Sequence, residues 1–306
     1  MDEQSRSAES RRPTPPAPIP RQSAAKAGSD KTTGAASNLK ITDAQIHTWR
    51  MGRPSSHQRQ LPFPPELLLE EMKQAGVSAA VVVPPSWDPH GNAPANTMAA
   101  QHPDKIRVMG RLELDKPEAR NVFANLSATP YMLGFRVMFT TPERRAWLED
   151  GNADWLWHEA EKAKVPLMVH VPHNLHTIND VAQRHPGLRV VIDHLGIPPN
   201  HPGSNASMAH IPELAKLAKL PNVAVKATGV PGYSAEAYPY RNLHEPLHRT
   251  FDAFGPSRMF WGSDLTRMNC SYRQCITLFT EELPWLSESD KKLVMGEGVR
   301  NWLGWR

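Results

Sequence analysis

Short runs of β-branched and other apolar residues alternate with longer amphipathic stretches from residue 41 to the end of this 306-residue chain. Such alternation predicts βαβ units, in which a helix crosses over between two parallel strands. Eight units in about 265 residues match a closed (β/α)8 barrel, which typically needs about 250 residues. The predicted strands are Ile41–Ile46, Ala79–Val83, Ile106–Gly110, Leu133–Met138, Leu167–Val171, Val190–Asp193, Val223–Lys226 and Met259–Trp261.

An open, doubly wound sheet is the alternative architecture for the same alternation. Proteins with that sheet often bind nucleotides through a glycine-rich turn, but no G-x-G-x-x-G follows the first predicted strand and no G-x-x-x-x-G-K-[ST] occurs anywhere. The helix signals also suit the crossovers of a barrel. Residues 65–76, for example, have proline at the start, acidic residues in the first turns and glycine at the end. The sequence therefore favours an α/β fold of the TIM-barrel type.

Residues 1–40 differ in composition from the rest and are predicted to form a disordered tail, with the barrel spanning residues 41–306. The tail is rich in Ser, Pro and Ala and nearly free of large apolar residues. It also holds seven Lys or Arg and four Asp or Glu, so most of the net charge of +4 belongs to it. The remainder is close to neutral, which argues against a nucleic-acid-binding surface.

Several classes of protein are disfavoured by the sequence. No apolar run approaches the length of a membrane-spanning helix, and no apolar segment follows Arg11 and Arg12 as a secretory signal would require. The two cysteines, Cys270 and Cys275, do not make a disulfide framework. These features predict a cytoplasmic protein without a membrane or nucleic-acid partner, and they leave a homo-oligomer open.

Polar and ionisable side chains follow the apolar part of six predicted strands. In a barrel the carboxyl ends of all strands meet at one face, where active sites are built. Gln45 and His47 are two residues apart on the first strand and should project together. Ionisable groups so near a core must be paired or functional. The other members of the set are Arg136, His170, Asp193, His194, Lys226 and Asp264.

Each of these residues also has a purely structural interpretation. Asp264 could cap a helix that begins near Ser271, and Arg136 could form an ion pair at the barrel rim. Lys226 could pair with Asp264 or Glu113. A single histidine at a strand end is more often structural than functional, so the prediction of a site depends on the whole set and not on one member.

The motifs around these residues resemble the amidohydrolase-2 branch of the amidohydrolase superfamily, over roughly residues 40–306. The resemblance is closest to lactonases that act on sugar lactones and on 2-pyrone-4,6-dicarboxylate, and it implies a (β/α)8 barrel. The motifs that carry it are Asp43-Ala-Gln-Ile-His47-Thr-Trp, Gly134-Phe-Arg136, Ile192-Asp-His194-Leu-Gly, Val225-Lys226 and Trp261-Gly-Ser-Asp264.

The resemblance implies a metal site, but one residue departs from the pattern. Members of the superfamily normally carry His-x-His on the first strand, and Gln45 replaces the first of these histidines. A glutamine coordinates metals only weakly, through its carbonyl oxygen. By resemblance, His47, His170 and Asp264 would hold a single divalent ion, most naturally zinc. Some lactonases of this group look metal-independent, so the prediction is either no cofactor or one divalent metal.

The predicted activity is hydrolysis of a lactone or related cyclic ester that bears a carboxylate, a small-molecule substrate. Asp264 would act as the general base for water, and His170 and His194 would donate to the carbonyl oxygen. His47 and Gln45 would hold the water or the ring oxygen, while Arg136 and Lys226 would bind the carboxylate. One alternative is a metal-dependent decarboxylase or C–C hydrolase of the same superfamily. A second is a barrel that binds a ligand without catalysis.

Overall fold

The computed structural model of this protein describes residues 39–199, 201, 203–204 and 206–305. The tail predicted for residues 1–40 falls, except for its last two residues, outside the described part of the chain. Within that part, the compact unit runs from Leu39 to the C-terminus.

Eight parallel strands form one sheet in which each strand pairs with the next along the chain. The order confirms the prediction of a (β/α)8 barrel. Every strand bound lies within two residues of its predicted position, and the sixth strand is the shortest because Asp193 already begins a turn. The strands are β1 Ile41–Ile46, β2 Val77–Val82, β3 Ile106–Arg111, β4 Met132–Met138, β5 Leu167–His170, β6 Val190–Ile192, β7 Val223–Thr228 and β8 Met259–Gly262.

Helices connect the strands and cover the outside of the sheet. The first begins with Pro65 and ends before Gly76, whose positive φ of 76° lets its N–H bond back to the last helical turn. The described α-helices are α1 Pro65–Ala75, α2 Ala93–Gln101, α3 Pro142–Glu149, α4 Asp154–Lys162, α5 Leu175–Arg184, α6 Ile211–Lys216, α7 His244–Phe254, α8 Tyr272–Thr280, α9 Glu288–Lys292 and α10 Gly298–Leu303.

The core has two layers, because each strand is buried on both faces. Residues that point outward from the sheet pack beneath the helices in the larger cluster. The inner cluster fills the barrel with side chains of mixed size, and it includes Val299, Leu303 and Trp305 from the C-terminus. Gly296 lies against the backbone just before β1. The C-terminal segment therefore closes the amino end of the barrel and leaves the carboxyl end for a site.

The seam between β8 and β1 is closed by a buried carboxylate. Asp43 accepts hydrogen bonds from the Ser263 N–H, at 2.9 Å, and from the Tyr272 hydroxyl, at 2.7 Å. The backbone oxygen of Gln45 accepts from the Asp264 N–H at 3.0 Å. Burial raises the pKa of Asp43 to about 6, although the hydrogen bonds that this carboxylate accepts from Ser263 and Tyr272 oppose the rise. The first and last strands are thus joined directly below the ends that carry Gln45 and Asp264.

Among the described residues, no helix is both long enough and apolar enough to cross a membrane.

Candidate active site

The carboxyl ends of the strands surround a cavity of about 210 Å³. Of the seven residues to which the predicted reaction assigns a role, the structure brings five to its wall: His47, Arg136, His170, His194 and Asp264. The other two, Gln45 and Lys226, are fully buried beneath it. Five of the predicted residues therefore share one cavity, and the other two form a buried layer below it that the sequence did not distinguish from the wall.

A bulge in β1 turns Gln45 toward the barrel interior. The register between β1 and β2 shifts between Asp43 and Ile46, so Ala44 and Gln45 both reach inward although they are consecutive. Gln45 Oε1 accepts from the Lys226 ammonium at 2.5 Å, and its amide nitrogen donates to His194 Nε2 at 3.2 Å. Gln45 Oε1 is the atom through which this side chain would coordinate a metal, and it already accepts a hydrogen bond from the Lys226 ammonium.

Lys226 belongs to the layer beneath the cavity. Its ammonium lies 2.8 Å from Asp193 Oδ1 and 3.1 Å from Met168 Sδ, in addition to Gln45. It pairs with Asp193, and not with Asp264 or Glu113 as the structural interpretation had it. A substrate contact is also not what this position offers, because the side chain is 0% exposed and its three donors have partners. We therefore assign Lys226 a supporting position.

Asp193 connects the buried Lys226 beneath the cavity to Arg136 on the cavity wall. Its Oδ2 accepts from Arg136 Nε at 2.5 Å, while its Oδ1 faces Lys226. Burial alone would raise the pKa of this carboxyl, but the two cations outweigh burial and lower the pKa to about 2. Arg136 is consequently held through Nε, its Nη1 also donates to Met138 Sδ at 3.2 Å, and the residue lines the cavity.

Backbone carbonyls fix the proton positions of two histidines. His47 Nδ1 lies 2.7 Å from the Val83 carbonyl, and His170 Nε2 lies 2.8 Å from the Ile197 carbonyl. A carbonyl only accepts, so each of these nitrogens carries the proton. Burial lowers the pKa of His47, and lowers that of His170 to about 4, so both rings are neutral at pH 7. The lone pairs therefore lie on His47 Nε2 and His170 Nδ1, and the latter has no hydrogen-bond partner.

His194 is presented by a left-handed turn that follows β6. Its φ is 52°, that of Leu195 is 55° and that of Gly196 is 75°. Such a run is unfavourable for side chains other than glycine. It is held by His210, whose Nε2 lies 2.7 Å from the Leu195 carbonyl. His194 Nδ1 then donates to Thr228 Oγ1 at 2.8 Å.

The other ring nitrogen of His194 is an acceptor. Arg136 Nη2 and the Gln45 amide nitrogen each lie 3.2 Å from His194 Nε2, and both are donors. Burial lowers the pKa of His194 well below its ordinary value, with neighbouring His170 and Arg136 adding to the effect. In this arrangement neither His194 nor His170 offers an N–H to the cavity, contrary to the expectation that they donate to a carbonyl oxygen.

Asp264 lines the cavity, in a left-handed conformation with φ 46°. Its Oδ1 is buried, without a hydrogen bond, and lies 3.4 Å from His47 Nε2. Its Oδ2 lies 3.7 Å from Arg267 Nη1 and 4.0 Å from His194 Nε2. Helix α8 is capped by Ser271, so the structural interpretation of Asp264 as a helix cap does not apply.

Sequence reasoning missed Arg267. It follows Asp264 by three residues in a short turn, and nothing in its spacing marked it as a strand-end residue. Its Nη1 donates to the Tyr233 hydroxyl at 2.7 Å, and its guanidinium lies 4.7 Å from the centre of the Tyr233 ring. Burial would lower the pKa of Arg267, but Tyr233 and Asp264 raise it. Four of the arginines that the structure describes line the cavity: Arg111, Arg136, Arg144 and Arg267.

The donor atoms at the cavity are chemically suited to a divalent cation. His47 Nε2 and His170 Nδ1 are neutral lone pairs, and Asp264 Oδ1 is a carboxylate oxygen without a hydrogen bond. The two carbonyls that fix the tautomers are partners typical of metal-ligating histidines. Within the part of the chain described, however, no three His, Cys, Asp or Glu side chains already converge into a metal-binding group.

The sequence model of the amidohydrolase family matches residues 42–297, so the chain belongs to this family. It is accordingly a hydrolase. Among curated proteins, an L-fucono-1,5-lactonase of Burkholderia ambifaria is 28% identical over 245 residues, which cover 72% of this chain and 79% of the lactonase. The motifs quoted from the sequence thus identified the family correctly.

Solved structures of low identity share the fold. An amidohydrolase from Burkholderia multivorans with bound zinc is 20% identical, with a TM-score of 0.71, and the match covers 87% of this chain and 99% of that one. A probable 2-pyrone-4,6-dicarboxylic acid hydrolase from Acinetobacter baumannii with citric acid bound is 16% identical, with a TM-score of 0.65, covering 87% of this chain and 100% of the other.

Proposed function

We propose that this protein hydrolyses a lactone, or a related cyclic ester, that carries a carboxylate. The observation that carries the proposal is Asp264 Oδ1, a buried carboxylate oxygen without a hydrogen bond, on the wall of an arginine-lined cavity. The similarity to a fuconolactonase supports a lactone as the reacting group. The excess of arginine over acidic residues supports an anionic substrate.

Asp264 is the proposed general base. A water that donates one hydrogen to Asp264 Oδ1 and the other to His47 Nε2 is held by two acceptors 3.4 Å apart. Its lone pairs then face the substrate. Asp264 takes a proton as the water oxygen forms a bond to the carbonyl carbon, and the ring C–O bond breaks when the resulting oxyanion collapses. The proton passes from Asp264 to the departing ring oxygen, and the product is a hydroxy acid.

Arginines are the proposed donors to the developing oxyanion. The tautomers of His170 and His194 leave their cavity-facing nitrogens without protons. Arg267 and Arg136 line the same cavity, and Arg267 Nη1 lies 3.7 Å from Asp264 Oδ2. We therefore revise the proposed role of His170 and His194 from donors to acceptors that orient water or substrate hydroxyl groups, and Gln45 and Lys226 fix His194 and Asp193 from below.

A divalent ion, if bound, would be held by His47, His170 and Asp264, and it would polarise the ester carbonyl and acidify the attacking water. The roles of Arg136 and Arg267 toward a carboxylate do not depend on it. A metal-dependent decarboxylase or C–C hydrolase is the second candidate, and the three metal-suited donor atoms are the observation that favours it.

The test is a panel of five- and six-membered lactones supplied in matched pairs, one with a ring carboxylate and one with its methyl amide. We expect the hydroxy acid to appear by mass spectrometry, with kcat/KM higher for the carboxylate of each pair. Release of carbon dioxide without ring opening would instead support the decarboxylase. Ligands that raise the melting temperature without any turnover would support a binding protein and overturn the proposal.

A further inference from the structure

A pair of thiols lies where the loop that leaves β8 meets α8, and neither cysteine lines the cavity. Cys270 ends that loop, and Cys275 lies in the first turns of α8. Their sulfur atoms are 3.6 Å apart. Cys270 is partly exposed, whereas Cys275 is buried at 1% exposure. One thiol is thus open to a small reagent, and the second lies within reach behind it.

The surroundings distinguish the two sulfurs. The hydrogen bond that Cys275 donates lowers the pKa of Cys270 to about 7, with Tyr240 as a second donor and burial opposing both. The same contact raises the pKa of Cys275. Cys270 is therefore the thiol with thiolate character near neutral pH, and thiolate character together with access decides which cysteine is oxidised first.

The two sulfurs must move closer together before they can join. A disulfide bond is about 2.05 Å long, so the sulfurs must approach by roughly 1.5 Å. Cys275 is fixed within α8, where its carbonyl accepts from Trp261 Nε1 at 3.1 Å. Cys270 follows the exposed Asn269 in a segment without regular structure. The approach is therefore a movement of the Cys270 segment and not of the helix.

We propose that Cys270 and Cys275 form an oxidisable pair, in which a hydroperoxide oxidises Cys270 and Cys275 then closes an intramolecular disulfide. In the first step the Cys270 sulfur attacks one peroxide oxygen, the O–O bond breaks, and the products are a sulfenic acid and, from hydrogen peroxide, water. In the second step the Cys275 sulfur displaces the hydroxyl of the sulfenic acid, which leaves as water with the proton of Cys275. Two thiols are oxidised and one peroxide is reduced.

The test uses the full chain, treated with hydrogen peroxide and then alkylated under denaturing conditions. Intact mass should show the loss of two hydrogen atoms and of both alkylatable thiols, and dithiothreitol should restore them. Persistence of two free thiols, or covalent dimers in place of the intramolecular bond, would overturn the proposal. These readouts do not depend on the proposed lactonase activity.

Single variants separate the two roles. Cys275→Ser should stop at the sulfenic acid of Cys270, trapped as one dimedone adduct, whereas Cys270→Ser should leave the buried Cys275 unmodified. Because Cys275 is buried, Cys275→Ala is made as well, and thermal melts show that each variant is folded. A Cys270→Ser variant in which Cys275 reacts as fast as the wild-type pair would contradict the assignment of Cys270 as the attacked thiol.

Discussion

At the scale of single residues, two backbone carbonyls decide what the histidines of this cavity can do. The carbonyls of Val83 and Ile197 place protons on His47 Nδ1 and His170 Nε2, and burial keeps both rings neutral. The remaining ring nitrogens, His47 Nε2 and His170 Nδ1, are consequently acceptors. Hydrogen-bond donation to a substrate then falls to the arginines, because the nitrogens of a guanidinium group are donors only.

The first prediction concerns Asp264. Asp264→Asn keeps the shape of the side chain and removes the base, so we expect kcat to fall by ~10²–10⁴ with a smaller change in KM. The matched control is Asp252→Asn, whose carboxylate is 65% exposed on α7 and should leave both constants unchanged. Steady-state kinetics on a carboxylated lactone measure the effect. If Asp264→Asn keeps more than roughly a tenth of kcat, a different group is the base.

The second prediction concerns Arg136. Arg136→Lys preserves the charge but replaces the planar guanidinium with a single ammonium. That ammonium cannot donate to Asp193 as Nε does and also bind a carboxylate through two further N–H groups. We expect KM for a carboxylated lactone to rise by about tenfold or more, with a smaller change for the uncharged partner of the pair. Arg184→Lys is the control, since that arginine forms a surface ion pair with Asp154. Equal KM values in variant and wild type would remove Arg136 from the substrate site.

At the scale of elements, the strand ends could be predicted, whereas the depth of each side chain could not. Parallel strands in a barrel bring their carboxyl ends together, so His47, His170 and Asp264 could be placed from the strand pattern alone. The bulge that turns Gln45 inward and the buried position of Lys226 depend on register between strands, which local sequence does not encode. Arg267 escaped prediction because it reaches the cavity from a turn.

The left-handed turn after β6 gives the third prediction. Gly196→Ala introduces a side chain at φ 75°, and its Cβ would lie 3.2 Å from Leu175 Cδ2. We expect the free energy of unfolding to drop by about 1–2 kcal/mol. Because the same turn positions His194 and the Ile197 carbonyl, kcat/KM should also fall by about tenfold or more.

Gly76→Ala is the matched control for that variant. Gly76 has φ 76° and open space around its Cβ position, and it ends α1 away from the cavity wall. It should lose a similar amount of stability in urea denaturation and leave kcat/KM unchanged. Equal losses of kcat/KM in the two variants would mean that the turn does not position the site.

At the scale of the whole molecule, the charge around the cavity gives the fourth prediction. Arg136 and Arg267 line the wall, Lys226 lies below it, and the oxygen of Gln45 is bonded to that lysine. These three cations outnumber the two neighbouring carboxylates, Asp193 and Asp264, so the local charge opposes a divalent cation even though three donor atoms suit one. We expect the protein to purify with well under one zinc per chain and to keep its activity with chelators.

Gln45→His provides the comparison for the metal experiment. The substitution places a second imidazole near His47 and removes the hydrogen bond between residue 45 and Lys226. The affinity for zinc, measured by competition with a chelating dye, should therefore rise. Stoichiometric zinc in the wild-type protein, with activity lost on its removal and regained on its return, would reverse the prediction and make His47, His170 and Asp264 ligands.

The last prediction follows from two buried groups whose pKa values shift in opposite senses. The pKa of His170 is lowered to about 4, so between about pH 4 and 6.5 the unfolded chain binds a proton that the folded one refuses, and stability falls as the pH falls. The pKa of Asp43 is raised to about 6, so between about pH 3.8 and 6 the folded state binds the extra proton, and stability rises as the pH falls.

These opposite signs can be separated by two variants. Asp43→Asn removes the compensating group, so the loss of unfolding free energy from pH 7 to pH 4 should become larger by roughly 3 kcal/mol. His170→Gln retains a donor for the Ile197 carbonyl and should make the same loss smaller by a similar amount. Urea denaturation at several pH values measures both slopes. If both variants lose unfolding free energy with falling pH as the wild type does, neither group titrates as its burial requires. Deviations of opposite sign would show that Asp43 in the seam and His170 at the cavity wall both contribute to the pH dependence of stability.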